Sequence, residues 1–133
     1  MVSPAEGQPT TLLVIDDQPF FTTMLRNVLE QQGFRVLTAS GGKEGLAIAH
    51  KQPPDGILLD VEMPEMNGFA VCQAIRQDKT LRHIPVVILT ATNDTKLNEK
   101  AFAAGADITA LKSLSGERLV NLIRLALSRG KPS

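Results

Sequence analysis

The chain has 133 residues, is 43% hydrophobic, and balances 14 Lys plus Arg against 14 Asp plus Glu. That length and composition fit one domain with one core, and the charge balance argues against a nucleic-acid surface or a polybasic membrane surface. Apolar runs such as Leu12–Ile15 and Val86–Leu89 reach only four residues, too short to cross a bilayer. No basic stretch followed by an apolar one reads as a secretory signal. The single Cys72 permits no internal disulfide, so a cytoplasmic setting is expected. Trp and Tyr are absent, leaving little with which to stack nucleic-acid bases.

Residues 1–10 are rich in Pro, Gly and polar side chains and are expected to form a disordered lead, with 130–133 a disordered tail and 11–129 the domain. Thr11–Asp16 is a short apolar run ending in carboxylates. Pro19 can open a helix. Phe21, Met24, Leu25, Val28 and Leu29 recur at helical spacing, and Gly33 stops them. Phe34–Ala39 reads as a second strand and Gly42–Lys51 as a helix ended by Pro53–Pro54. Gly56–Asp60 is a third strand. Asn67–Asp78 follows as a helix with Cys72 and Ile75 on its apolar face. Pro85–Thr90 is a fourth strand, Asp94–Ala104 a helix closed by Gly105, and Ile108–Lys112 a weak fifth strand. A last helix, Gly116–Arg129, carries Leu119, Leu122, Ile123, Ala126 and Leu127 on one stripe.

Five βα units in a row predict an α/β fold: a parallel sheet with helices on both faces. Right-handed crossovers reduce the topologies to a doubly wound sheet, whose ligands sit beyond the carboxyl ends of the strands. The polar residues at those ends form a set: Asp16 and Asp17, Asp60, Thr90 and Lys112. Crowded carboxylates repel unless a cation joins them, and Mg²⁺ takes carboxylates, waters and phosphate oxygens. Lysine suits a phosphate oxygen, a threonine hydroxyl can donate to one, and an aspartate can form an aspartyl phosphate. Taken singly, each residue has an ordinary structural use as a turn, cap, strand or surface group. Their common position at one rim is what points to phosphoryl chemistry. Cys72 reads as core, His83 as solvated, His50 as a helix-end residue, and Gly41–Gly42 as a turn that lacks the Lys and Ser/Thr of a phosphate loop.

The segments LLVIDDQP, ILLDVEMPEMNGF, VVILTA and AFAAGAD, with the later Lys112, resemble the receiver domain of two-component response regulators, from about Thr11 to Arg129. The resemblance implies a flavodoxin-like (βα)5 domain with strand order 2-1-3-4-5. It implies that Asp60 is the phosphoacceptor, served by a sensor histidine kinase or phosphotransfer protein. Mg²⁺, or Mn²⁺, would be held by Asp16, Asp17, Asp60 and the backbone carbonyl of Glu62. Thr90 and Lys112 would contact the phosphoryl group, with Met63, Pro64 and Gly68 in the loop after the acceptor and Ala91 leaving room beside the phosphate. Glu62 and Thr92 would flank the approach of the hydrolytic water. The chain would then be no enzyme toward other substrates, only promoting its own phosphorylation and dephosphorylation while switching the surface seen by an output partner. No direct nucleic-acid or membrane contact is implied. Homodimerisation through the outer helices stays open, as does whether the chain stands alone or belongs to a longer protein.

Two positions depart from the family pattern. Thr109 stands where an aromatic residue is usual, three positions before the lysine, which puts the usual relay through the fourth helix and fifth strand in question. Ser113 follows Lys112 where the family has proline after a cis bond. A cis bond before a non-proline residue costs about 3–4 kcal/mol, so a trans Lys112–Ser113 peptide and a rebuilt loop are expected. Two other readings compete with phosphoacceptance. One is a pseudo-receiver that only binds partners. The other is an aspartyl-phosphate phosphatase of the same layered fold, which would need a further acid/base and a substrate cap.

Overall fold

A computed structural model describes residues 9–130, so most of the expected lead and tail lie outside the described residues. Five parallel strands, β1 (Thr11–Ile15), β2 (Arg35–Ala39), β3 (Gly56–Asp60), β4 (Val86–Thr90) and β5 (Ile108–Leu111), form one sheet in the order β2-β1-β3-β4-β5. Five helices alternate with them: α1 (Pro19–Gln31), α2 (Gly42–Lys51), α3 (Gly68–Gln77), α4 (Thr95–Ala104) and α5 (Gly116–Gly130). The doubly wound architecture and strand order are those expected from the sequence.

The side-chain period of two divides the core between the two faces of the sheet. Leu13, Ile15, Ile57, Leu59, Val86 and Ile88 pack under α2, α3 and α4 with Ala49, Val71, Cys72, Ile75 and Ala101. Leu12, Val14, Leu58, Val87, Leu89 and Ala110 pack under α1 and α5 with Leu25, Leu29, Leu119, Ile123 and Ala126. Every residue of β3 and β4 is buried, which accounts for their unbroken apolar runs. Cys72 is fully buried core, and that burial pushes its thiol up to about 11. His83 is exposed.

Helix boundaries follow their caps. Pro19 occupies the first turn of α1. At its other end Gly33, at φ 92°, closes a Schellman turn in which Phe34 N–H donates to Leu29 O at 3.1 Å and Gly33 N–H to Glu30 O at 3.0 Å. Asn67 and Asp94, expected inside their helices, instead precede them. Their side chains accept from Ala70 N–H at 3.0 Å and Lys96 N–H at 2.8 Å, as short polar side chains do at an N-cap. His50 lies at the end of α2 and bonds Leu46 O at 2.9 Å through Nδ1 and Asp78 through Nε2. Both ring nitrogens thus face acceptors, which raises its pKa, whereas helix-end placement alone would leave one of them free.

Arg76 was not singled out by sequence pattern, yet it ties three segments together. Its guanidinium donates to Gly105 O at 2.8 Å, Arg82 O at 2.9 Å, Ile84 O at 2.7 Å and Asp107 Oδ2 at 2.8 Å. Asp107 Oδ2 also accepts from Val86 N–H at 2.8 Å, so the entries to β4 and β5 are held from α3. Carbonyls left without a partner in a half-buried setting lower stability. Arg76→Met, which keeps the apolar stem, is therefore expected to cost about 1–3 kcal/mol in chemical denaturation; an unchanged midpoint would show that water replaces the guanidinium.

Candidate functional site

Register explains why these side chains meet. Ile15 pairs with Leu59, and Asp60 with Leu89, so the residue that follows β1, Asp16, lies beside Asp60. Thr90 pairs with Leu111, which places Lys112 one step beyond, its N–H donating to Thr90 O at 2.8 Å. Asp16, Asp60 and Lys112 all carry the parity of the α1/α5 face, the face of Val14, Leu58 and Ala110. Thr90 carries the opposite parity, that of Ile88.

The contacts agree with that parity. Lys112 Nζ lies 2.8 Å from Asp16 Oδ2 and 3.2 Å from Asp60 Oδ1. It also donates to Gln18 Oε1 at 2.9 Å and sits 4.6 Å from the centre of the Phe21 ring, within cation–π range. Asp16 and Asp60 are buried, whereas Asp17 is partly open to solvent. One oxygen from each of Asp16, Asp17 and Asp60 falls within 4.8 Å of the others. Three carboxyl groups face one ammonium, so the set carries more acidic groups than cations. In addition, Asp16 Oδ2 is buried without an aligned hydrogen bond, despite the close ammonium. An all-oxygen donor set with a charge deficit and a free lone pair fits a hard divalent cation.

Burial and the Asp16 charge push the Asp60 carboxyl up to about 6, against the opposing pull of Lys112 and a hydrogen bond from Glu62 N–H. Asp60 opens into a cleft of about 240 Å³ lined also by Asp17, Gln18, Glu62, Thr90, Ala91, Thr92 and Lys112. Of the sequence-predicted site residues, Asp17, Asp60, Glu62, Thr90, Ala91, Thr92 and Lys112 line this cleft; Asp16 pairs with Lys112 and lines a neighbouring pocket beside α1, and Met63, Pro64 and Gly68 do not line the cleft. The Thr90 hydroxyl is already engaged. It donates to Thr92 O at 2.9 Å and accepts from Thr92 N–H at 3.1 Å. The Lys112–Ser113 peptide is trans, as expected for a non-proline bond. Thr109 Oγ1, in place of the usual aromatic, donates to Asn98 Oδ1 of α4 at 3.1 Å. Gln18 and Phe21 were missed as site residues. Their three-residue spacing at the start of α1, over the face that carries Lys112, was the available signal.

Residues 12–124 match the family model described as response regulator receiver domain. The chain belongs to the response regulator receiver domain family. It is 40% identical over 121 residues to the transcriptional regulatory protein AfsQ1 of Streptomyces coelicolor, covering 91% of this chain and 52% of that protein. Among solved structures, the chemotaxis protein CheY4 of Vibrio cholerae matches with a TM-score of 0.86 at 29% identity, over 90% of this chain and 99% of that one. The signal receiver domain of a signal transduction histidine kinase from Syntrophus aciditrophicus matches with a TM-score of 0.84 at 30% identity, over 93% and 94%. This receiver domain spans about half the length of the curated relatives it matches. Among its described residues, no helix is long and apolar enough to cross a membrane.

A carboxyl held above its ordinary value of 3.8 binds more protons in the folded than in the unfolded chain between that pH and about 6. Folding stability from this group is therefore lost as pH rises through that window. Asp60→Asn removes the cost. In metal-free protein the variant is expected to be more stable than wild type by about 1–3 kcal/mol at pH 7, with the gain gone by about pH 4. Denaturation of both proteins at the two pH values measures it, and a variant less stable at pH 7 would contradict it.

Proposed function

We propose that this receiver domain is a phosphorylation-controlled signalling module in which Asp60 accepts a phosphoryl group from a phosphohistidine on a sensor histidine kinase or phosphotransfer protein, or from a small acyl phosphate. The observation that carries this reading is a buried carboxylate that opens into a cleft and shares one ammonium and two further carboxylates.

An Asp60 oxygen attacks phosphorus as the donor's P–N bond breaks, and the bonding pair leaves with the imidazole nitrogen. The product is an acyl phosphate on Asp60. Lys112, already 3.2 Å from Asp60 Oδ1, can turn its ammonium toward the phosphoryl oxygens without leaving Asp16. Asp16, Asp17 and Asp60, with the Glu62 carbonyl, are the groups that would hold Mg²⁺ or Mn²⁺, which when bound neutralises charge on the phosphoryl oxygens. Thr90 would exchange its Thr92 partners for a phosphoryl oxygen and carry the β4–α4 loop with it. Return to the resting state is hydrolysis. Water attacks phosphorus, the Asp60 O–P bond breaks, and inorganic phosphate leaves. Glu62 and Thr92 line the cleft that water would enter. The chain then acts on no substrate but itself.

The output is a change in a partner surface. Curated relatives named as transcriptional regulators extend to about twice this length, so control of a DNA-binding segment in a full-length form is the output we favour. A buried, unpaired Cys72 suits a reducing, cytoplasmic setting.

Intact mass after incubation with acetyl phosphate and Mg²⁺ tests the chemistry. The wild type is expected to gain one phosphoryl group and Asp60→Asn none, with chelation of the metal abolishing the gain. A wild type that stays unlabelled would favour an interaction-only module, and labelling that survives Asp60→Asn would move the acceptor elsewhere.

A further inference from the structure

Gln18 has two engagements that its position does not require. It is the N-cap residue of α1, yet its side chain makes no cap hydrogen bond. That departs from the usual role of this position, where a short side chain satisfies the first free N–H groups. Instead its amide oxygen accepts from Lys112 Nζ at 2.9 Å, across 94 residues of sequence. Its backbone N–H meanwhile donates to Asp16 Oδ1 at 2.8 Å. One residue therefore grips both the lysine that follows β5 and the buried acid that follows β1. Phe21, on the next turn of α1, lies under the same ammonium.

The lysine needs such a guide. An ammonium has three N–H donors on a flexible four-carbon stem. Here three oxygens surround it, and the longest of the three distances, 3.2 Å, is to Asp60. The shorter two, an ion pair with Asp16 and a hydrogen bond to Gln18, fix its place and leave the contact toward Asp60 the loosest. Gln18 is neutral, so it takes one donor without adding to the negative charge of the cluster. A third carboxylate on the ammonium, at that position, would compete for it more strongly.

We infer that Gln18, seconded by Phe21, is a positioning residue for phosphoryl transfer: its amide oxygen holds Lys112 at the mouth of the Asp60 cleft so that the longest of its three contacts, the one toward Asp60, is the one that incoming phosphoryl oxygens replace. The inference rests on the phosphoacceptor reading of Asp60. Gln18 acts through Lys112 and touches none of the reacting atoms.

Gln18→Met keeps the length and removes the acceptor. With acetyl phosphate and Mg²⁺, it is expected to slow labelling of Asp60 by about three- to tenfold, the worth of one partly exposed hydrogen bond to a charged group. In a Lys112→Ala background the same substitution is expected to have no further effect, because its target is gone. A second readout needs no phosphoryl donor. In metal-free protein with isotope-labelled lysine, the Lys112 ammonium is expected to give a slowly exchanging signal that Gln18→Met abolishes and Gln18→Glu, which retains an acceptor oxygen, preserves. Labelling of Gln18→Met at the wild-type rate, or an equal loss in both backgrounds, would overturn the role of Gln18 while leaving Asp60 as acceptor. A wild type that never labels would overturn both readings together.

Discussion

The Lys112 ammonium is shared between two carboxylates that the sheet buries side by side, and the rim of the domain is organised around that sharing. Asp16 and Asp60 are adjacent because β1 and β3 are neighbours in register. They are buried, Asp60 at the floor of the cleft it lines. Burial, and then repulsion from the Asp16 charge, push the Asp60 carboxyl up. A single cation from β5, two strands away from Asp60, supplies most of the relief. Its reach depends on the strand order, which sets β4 between β3 and β5, and on its own N–H, which anchors it to Thr90 O.

The fold was legible because its strands are buried on both faces and its helices are punctuated. Apolar runs, Gly33, Gly105 and the prolines placed every element within a residue or two. The errors at Asn67 and Asp94 are errors of capping: composition alone does not separate a cap from a first helical turn. The acids were legible because each ends an apolar run. Strand order came from family resemblance, since alternation of elements does not dictate which strands are neighbours. Gln18 and Arg76 were assigned no role from the sequence. Each acts through contacts far away in sequence, across 94 residues for Gln18 to Lys112 and 31 for Arg76 to Asp107; Arg76 belongs to no motif, and the LLVIDDQP segment that contains Gln18 points to its acids.

Parity accounts for a difference that residue identity does not. Asp16, Asp60 and Lys112 fall on the α1/α5 side of the sheet and find one another directly. Thr90, one parity over, turns its hydroxyl back onto its own loop. In the resting arrangement the acids and the lysine form one cluster, and the threonine is a separate, self-satisfied unit on its edge.

Under the proposed function, that separation sets what a phosphoryl group on Asp60 would have to do to be felt beyond the cleft. The segment that leaves β4 is closed at three points: Thr90 with Thr92, Asp94 capping α4 through Lys96, and Asn98 with Thr109 of β5. A ligand that captures the Thr90 hydroxyl gains one charge-assisted hydrogen bond, of about 1.5–3 kcal/mol, and breaks two neutral ones of about 1 kcal/mol each. The exchange is nearly balanced, so the loop can be tipped by a dianionic group without being loose in its absence. The Thr109 hydroxyl then has a consequence that an aromatic ring at that position would lack. It ties β5 to α4 by a directional bond, so a shift of α4 must either break that bond or draw β5, and with it the backbone of Lys112, along with it.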